Sequence, residues 1–233
     1  MCISRITATY LILMAASACA VKADNIAFMS TNTGVFGTID LNTGAFTQLG
    51  SSGVPLGGMA VVNGTLYASS YNTTGSGTLY TVNPANGSLT VVGTSPINYA
   101  GLGSTTSGLY ALGVDGNLYS INPSSGAAVK IGPTGFVFGD GDWAGLSNNA
   151  NVLYFANGAK LFTLNTTTGA TTLVGSTGGP QMGVLLMEGG VLYGGEESPS
   201  FAVATLNTTT GAATTGPGVT GAIGEFYALA PFP

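Results

Sequence analysis

The sequence predicts an all-β fold, a five-bladed β-propeller with four antiparallel strands per blade. Three observations lead there. A hairpin phrase, clearest as LFTLNTTTGATTLVG at Leu161 to Gly175, occurs five times, and its turn glycines fall at Gly44, Gly87, Gly126, Gly169 and Gly211. Periods of about 40 to 45 residues are what a blade of four short strands needs. The chain also starts partway through one repeat and stops partway through another, so its two ends together complete a fifth unit. A closed ring explains that offset, with the C-terminal innermost strand pairing with the N-terminal strands.

Residues 1–23 have the pattern of an export signal. Arg5 gives the charged start, the run from Ile6 to Ala20 the apolar centre, and Val21, Lys22 and Ala23 a small-x-small cleavage site before Asp24, with cleavage after Ala20 an alternative. The apolar run is shorter than the roughly 20 residues a membrane-spanning helix requires. The expectation is therefore a secreted or periplasmic protein, without stable membrane insertion once the signal is removed, whose domain occupies residues 24–233. The string Ala16, Ser17, Ala18, Cys19 departs from a lipoprotein signal, which usually has a Leu-like residue where Ala16 stands.

Within each hairpin an Asx residue stands four before the turn glycine: Asp40, Asn83, Asn122, Asn165 and Asn207. Its side chain can bond backbone two residues on, Pro84 and Pro123 preset the second turn position, and the glycine takes the positive φ that closes the loop. Before the Asx residues come Ile39, Val82, Ile121, Leu164 and Leu206, and three residues earlier Phe36, Leu79, Leu118, Leu161 and Val203. An offset of three puts the two sets on opposite faces of a strand. Both faces are therefore buried, as in a sheet sandwiched between two others. The triplets Gly58-Met59-Ala60, Gly101-Leu102-Gly103, Gly145-Leu146-Ser147, Gly183-Val184-Leu185 and Ala228-Leu229-Ala230 suit strands crowded around an axis. Leu66-Tyr67, Leu109-Tyr110, Leu153-Tyr154 and Leu192-Tyr193 mark the next strand, with the Ile26 to Met29 run as the fifth copy.

Composition excludes much chemistry. Both cysteines, Cys2 and Cys19, lie in the signal, and no histidine occurs, which removes Ser-His-Asp and Cys-His systems and ordinary zinc sites. After the signal only Lys130 and Lys160 face nine acids, and nucleic acid is not an expected partner.

The Leu-Tyr-x-Leu-Asn-x-x-x-Gly string resembles the repeats of secreted bacterial propellers of the pyrroloquinoline-quinone-type, NHL and YVTN groups. The resemblance spans nearly all of the exported chain and implies fold rather than function. Quinone-dependent members would imply basic residues and often a cysteine pair. The exported chain has neither arginine nor cysteine, so no cofactor is carried over. Furanose-cleaving glycosidases and tachylectin-like lectins are also five-bladed, and neither group's motifs match residue by residue.

What remains is carboxylate and aromatic chemistry at the rim of the central channel. Two residues before each small-residue triplet stand Leu56, Tyr99, Trp143, Gln181 and Phe226, and one place earlier Pro55, Asn98, Asp142, Pro180 and Glu225. Aromatic rings beside amide and carboxyl groups suit a sugar or another small molecule, and the same positions suit packing between blades. The candidate ligand-binding set is Asn98, Tyr99, Asp142, Trp143, Gln181, Glu225 and Phe226. A carbohydrate-active hydrolase or lyase would instead use Asp140, Asp142 and Glu225 as acid and base. The Asp140-Gly141-Asp142 pair offers calcium two of the six or more oxygens it takes. Asp40 and Asp115 read as turn residues, and Glu188, Glu196 and Glu197 as residues of polar loops. The sequence thus points to an exported, non-enzymatic, monomeric binding module for a small molecule, a glycan or a protein partner. A hydrolase or a structural surface protein are the alternatives.

Overall fold

A computed structural model describes residues 25–70, 75–106, 108–138, 145–147, 152–179, 181–197, 201–222 and 224–232. The expected export signal lies outside them. The twenty strands form five four-stranded antiparallel sheets, the blades of a five-bladed β-propeller. Among the described residues no helix is long and apolar enough to cross a membrane.

Blade 1 is the split one. Strands β1 (Ile26–Thr31), β2 (Val35–Asp40) and β3 (Phe46–Ser51) are joined by β20 (Phe226–Pro231), which takes the innermost place. The seam is a ladder running from Ala27↔Pro231 to Thr31↔Phe226. Blade 2 holds β4 (Leu56–Val62), β5 (Thr65–Ser70), β6 (Gly77–Val82) and β7 (Leu89–Ser95). Blade 3 holds β8 (Tyr99–Thr105), β9 (Gly108–Gly113), β10 (Asn117–Ile121) and β11 (Ala128–Pro133). Blade 4 holds β12 (Gly145–Leu146), β13 (Leu153–Asn157), β14 (Lys160–Leu164) and β15 (Thr171–Ser176). Blade 5 holds β16 (Met182–Glu188), β17 (Val191–Glu196), β18 (Ala202–Leu206) and β19 (Ala213–Gly218).

The offset-of-three pattern divides the core as its geometry requires. Five apolar clusters lie between successive blades, and each third strand contributes to two of them. Phe36 packs with Phe28 and Leu56, whereas Ile39 packs with Leu186 and Val203 on the other side. Leu161 and Leu164 separate in the same way, the first facing blade 5 and the second blade 3. All four of these third-strand residues are almost wholly buried. No cysteine occurs among the described residues, and this apolar packing joins one sheet to the next.

The repeated turns form as expected. Asn42 N donates to Asp40 Oδ1 at 2.8 Å, and Ala85, Ser124, Thr167 and Thr209 donate equivalently to Asn83, Asn122, Asn165 and Asn207. Each turn then serves the neighbouring blade. On four outermost strands a bulge sets Gly50, Gly93, Gly132 and Gly175 opposite Phe36, Leu79, Leu118 and Leu161. These glycines lie against the backbone of Asn86, Ser125, Thr168 and Thr210, in the turn of the next blade. A side chain there would collide with that turn. The fifth contact closes the ring: Gly44 of blade 1 lies against Gly218 of blade 5, and Thr220 N donates to Gly44 O at 3.0 Å.

Candidate functional site

The five innermost strands β20, β4, β8, β12 and β16 surround the axis, and their N-terminal ends make one rim of the ring. Near that rim β4, β8, β16 and β20 each carry a bulge, at Gly57, Ala100, Gly183 and Tyr227. A bulge adds one residue against the partner strand and re-aims the side chains beside it. The ladders also fix the correspondence between blades: Leu56↔Ser70, Tyr99↔Gly113, Met182↔Glu196 and Thr31↔Phe226. Met182, and not Gln181, is therefore the counterpart of Leu56, Tyr99 and Phe226. Blade 5 is one residue out of step with the spacing of the small-residue triplets. Gln181 takes the preceding, polar position, in line with Pro55, Asn98 and Glu225.

The described rim residues do not converge on one point. Tyr99 is 1% exposed and packs with Leu79, Leu102 and Leu109 between blades 2 and 3. Burial raises the pKa of its hydroxyl, with the adjacent Ser95 hydroxyl acting against that shift. Asn98 is buried beside it, and its carbonyl accepts from Val114 N. Gln181 is exposed, and its carbonyl accepts from Glu197 N at 3.0 Å. Asp140, Asp142 and Trp143 lie outside the described residues, and with them the calcium pair and two of the three hydrolase carboxylates.

Glu225 and Phe226 do share a site. They line a cleft of about 120 Å³ at the seam between blades 5 and 1, with Gly183, Gly195, Glu196, Glu197, Phe201 and Tyr227. Two glycines let the neighbouring side chains pack closely at its wall. A Cβ on Gly183 would lie 2.8 Å from Glu197 Oε1, and one on Gly195 would lie 2.6 Å from Val184 Cγ2 and 3.3 Å from the Phe226 ring. The Glu197 carboxylate thus folds over the bare backbone of the Gly183 bulge. Glu225 is exposed and anchored by its main chain, its N–H donating to Asn32 Oδ1 and its carbonyl accepting from Asn32 N.

Glu196 corrects the expectation that it sits in a polar loop. It is the last residue of β17 and 1% exposed, and Thr215 Oγ1 donates to its Oε1 at 2.5 Å. Glu188 likewise ends a strand, β16, and burial raises its carboxyl pKa, partly offset by the Gly189 N–H. Phe201 stands where the chain returns into blade 5 with φ of 37°, a conformation bulky side chains rarely adopt, and packs against the cluster containing Val203 and Phe226.

Among the described residues, Met59, Leu102, Leu146, Val184 and Leu229 line a cavity of about 10 Å³ between the inner strands, room for about a single water. Among the described residues no group of three or more acidic, histidine or cysteine side chains is arranged to hold a metal ion.

A separate polar group on blade 3 explains the other acid of the turn regions. Asp115 accepts from Tyr119 Oη at 2.6 Å, from Asn117 Nδ2 at 2.7 Å and from Asn117 N at 3.2 Å. Burial acts to raise its carboxyl pKa, but these bonds and the charge of Lys130 hold it below the usual value. Burial and the bond to Asp115 push Tyr119 up to about 12. Asp115 is the turn residue its pairing with Gly116 implies, braced by a tyrosine from the next strand.

No protein family and no curated protein matches the chain. Solved structures do. A Bacteroides thetaiotaomicron protein of unknown function is similar over 82% of this chain, with 15% identity and a TM-score of 0.60, and this chain spans 55% of its length. Myxococcus xanthus glutaminyl cyclase is similar over 78% of this chain and 72% of its own, at 19% identity and a TM-score of 0.49. PorZ, a surface component of the type-IX secretion system of Porphyromonas gingivalis, is similar over 86% of this chain and 26% of its own, at 13% identity and a TM-score of 0.46. At these identities the likeness is one of fold, and the first supports the propeller assignment directly.

Proposed function

We propose that this propeller is an exported binding module whose ligand sits in the cleft at the seam of blades 5 and 1. The observation that carries the reading is the cleft's construction: Phe201, Phe226, Tyr227 and three glutamates line one recess. An apolar wall with a few converging polar groups is the usual make-up of a small-molecule site. The φ of Phe201 adds to this, because a bulky residue in a disfavoured conformation costs stability, and such residues cluster at ligand clamps. Carbohydrate is one ligand class consistent with rings beside carboxylates.

A panel of glycans and small polar molecules, followed by nuclear magnetic resonance on the wild type and on Phe201→Ala and Glu225→Gln, tests this. Saturable shifts in the wild type that both substitutions weaken are expected. Saturable binding that neither substitution alters would place the ligand elsewhere and end the reading.

A further inference from the structure

The two ends of the ring differ in charge. At the rim where the inner strands begin stand Glu196, Glu197 and Glu225, with Asp115 in the turn whose Val114 N–H donates to the Asn98 carbonyl. At the opposite end the inner strands run into the hairpins 62–65, 105–108 and 188–191, and β20 runs into Phe232. Among the described residues the acids of that end are Glu188 and, in the outer turn of blade 1, Asp40, and no lysine belongs to its hairpins. Ser107, the stretch 148–151 and Pro233, which complete these connections in the sequence, add no charge.

Apolar side chains stand there instead. Phe232 is 45% exposed with its ring held 4.9 Å from that of Phe28, Val152 is 43% and Val191 39% exposed, and Val62 and Met187 are half-buried. They come from four different blades and so surround the axis. Exposed apolar groups gathered on one face mark an interaction site. Glu188 is half-buried among these hairpins, and burial raises its carboxyl pKa, which lowers the cost of covering it.

Charge also says what covers this end. A basic partner finds its carboxylates at the other rim, and an anionic lipid surface repels a chain that has two lysines against nine acids after residue 23. A second copy can approach by the hairpin end without bringing the rim acids together. Strand β16 is 7 residues long, which is about 20 Å at about 3.3 Å per residue. Two copies joined by their hairpin ends therefore hold their rim acids about 40 Å apart, about five screening lengths at physiological salt. Joined by the rims, the same acids would face one another. An apolar ring around an axis also matches itself across a two-fold, the closed arrangement commonest among identical chains.

We propose that the exported chain forms an end-to-end dimer through its hairpin end, with Phe232, Val191 and Val152 of one copy packed against the same end of the other, in place of the monomer expected from the sequence. Both seam clefts then stay open at the outer ends of the dimer. Light scattering behind size exclusion, on the exported chain at about 100 μM, a concentration that fills a complex of micromolar Kd, should give twice the chain mass. Phe232→Asp and Val191→Asp add carboxylates to a contact that has no base to meet them, and each should weaken the dimer about tenfold or more. Both residues are exposed, so circular dichroism should be unchanged. Val137→Asp, at a residue 83% exposed near the opposite rim, should leave the dimer intact.

A single-chain mass for the folded wild type at that concentration would overturn the proposal. So would a dimer that both hairpin-end substitutions leave intact, or one that Val137→Asp breaks, since either places the contact elsewhere. Flotation with phosphatidylcholine vesicles tests the remaining occupant. A chain that floats with them, has the mass of one copy when free, and loses the vesicles in Phe232→Asp would assign this end to a lipid surface and overturn the dimer.

Discussion

Gly175→Ala isolates the contact between one blade's outer strand and the next blade's turn. Gly175 has no positive φ, so alanine fits the local backbone, and on a free strand the change would stabilise by about 0.4–1 kcal/mol through the unfolded chain. In the ring the added Cβ would lie 2.8 Å from the Thr210 carbonyl carbon and closer still to its oxygen, where ordinary contact begins at 3.4 Å. Neither side yields easily. Gly175 is paired with Leu161, and Thr210 sits in a turn fixed by Asn207, whose Oδ1 accepts from Thr209 and Thr210 and whose carbonyl accepts from Gly211. Relief requires blades 4 and 5 to part, loosening the contacts of Leu161, Met182, Leu185 and Leu206. Overpacking of this kind costs about 1–3 kcal/mol, which outweighs the chain-entropy gain. At about 2–4 °C per kcal/mol for a domain of this size, a net cost of up to about 2.6 kcal/mol should lower Tm by up to about 10 °C in a thermal melt followed by circular dichroism. Gly218→Ala is the control: it lies in the outermost strand of blade 5, one residue past Pro217, which holds the matching place, and a Cβ there meets nothing within 4 Å. A Gly175→Ala melt equal to or above that of Gly218→Ala would refute the wedge argument.

Leu161→Ala, at a site with no exposure and neighbours on a neighbouring blade, should cost about 2–5 kcal/mol in denaturant unfolding. Thr215→Val leaves the buried Glu196 without one of its donors and should cost about 1–3 kcal/mol by the same measurement. Tyr119 gives a pH signature: its folded pKa of about 12 lies above the unfolded value near 10. That contribution to stability is complete below about pH 10 and is lost as pH rises through about 12. Ultraviolet titration of the tyrosines should show a late component that Tyr119→Phe reduces, beside that of Tyr99, which burial also raises. Asp115 has the opposite sign, its lowered pKa adding stability above the unfolded value near 3.9 that is lost as pH falls through the folded one. Tyr119→Phe should narrow this acid-side contribution.

Much of this architecture was legible because it repeats. The Asx-to-glycine turns gave the period, and the apolar pairs three residues apart gave the doubly buried strand. The mismatch between Ile26 at one end and Phe226 at the other gave the split blade. What escaped was what breaks alternation. The bulge at Gly183 puts Val184 rather than Gly183 in the position held by Gly58 in blade 2, so the spacing of the motif points to Gln181 where the ladder has Met182. Two adjacent carboxylates suggest solvent, which makes Glu196 look like a loop acid. Its burial depends on Thr215 reaching it from β19, a contact separated by 19 residues. The glycine-to-turn contacts had a visible signal, since Gly50, Gly93, Gly132 and Gly175 each follow their turn glycine by six residues. Its meaning lies in the neighbouring blade, which no local pattern describes.

The five glycine-to-turn contacts also bear on how the molecule comes apart. In an open stack of repeats the last unit can fray by breaking one interface, and unfolding can spread inward from that free end. Here every blade rests on two others, and the ladder from Ala27↔Pro231 to Thr31↔Phe226 leaves no terminal unit. Releasing any blade means breaking two interfaces together. Partial opening is therefore rare compared with a linear array of equal interface strength, and a protease should act on the described core at close to the rate set by global unfolding.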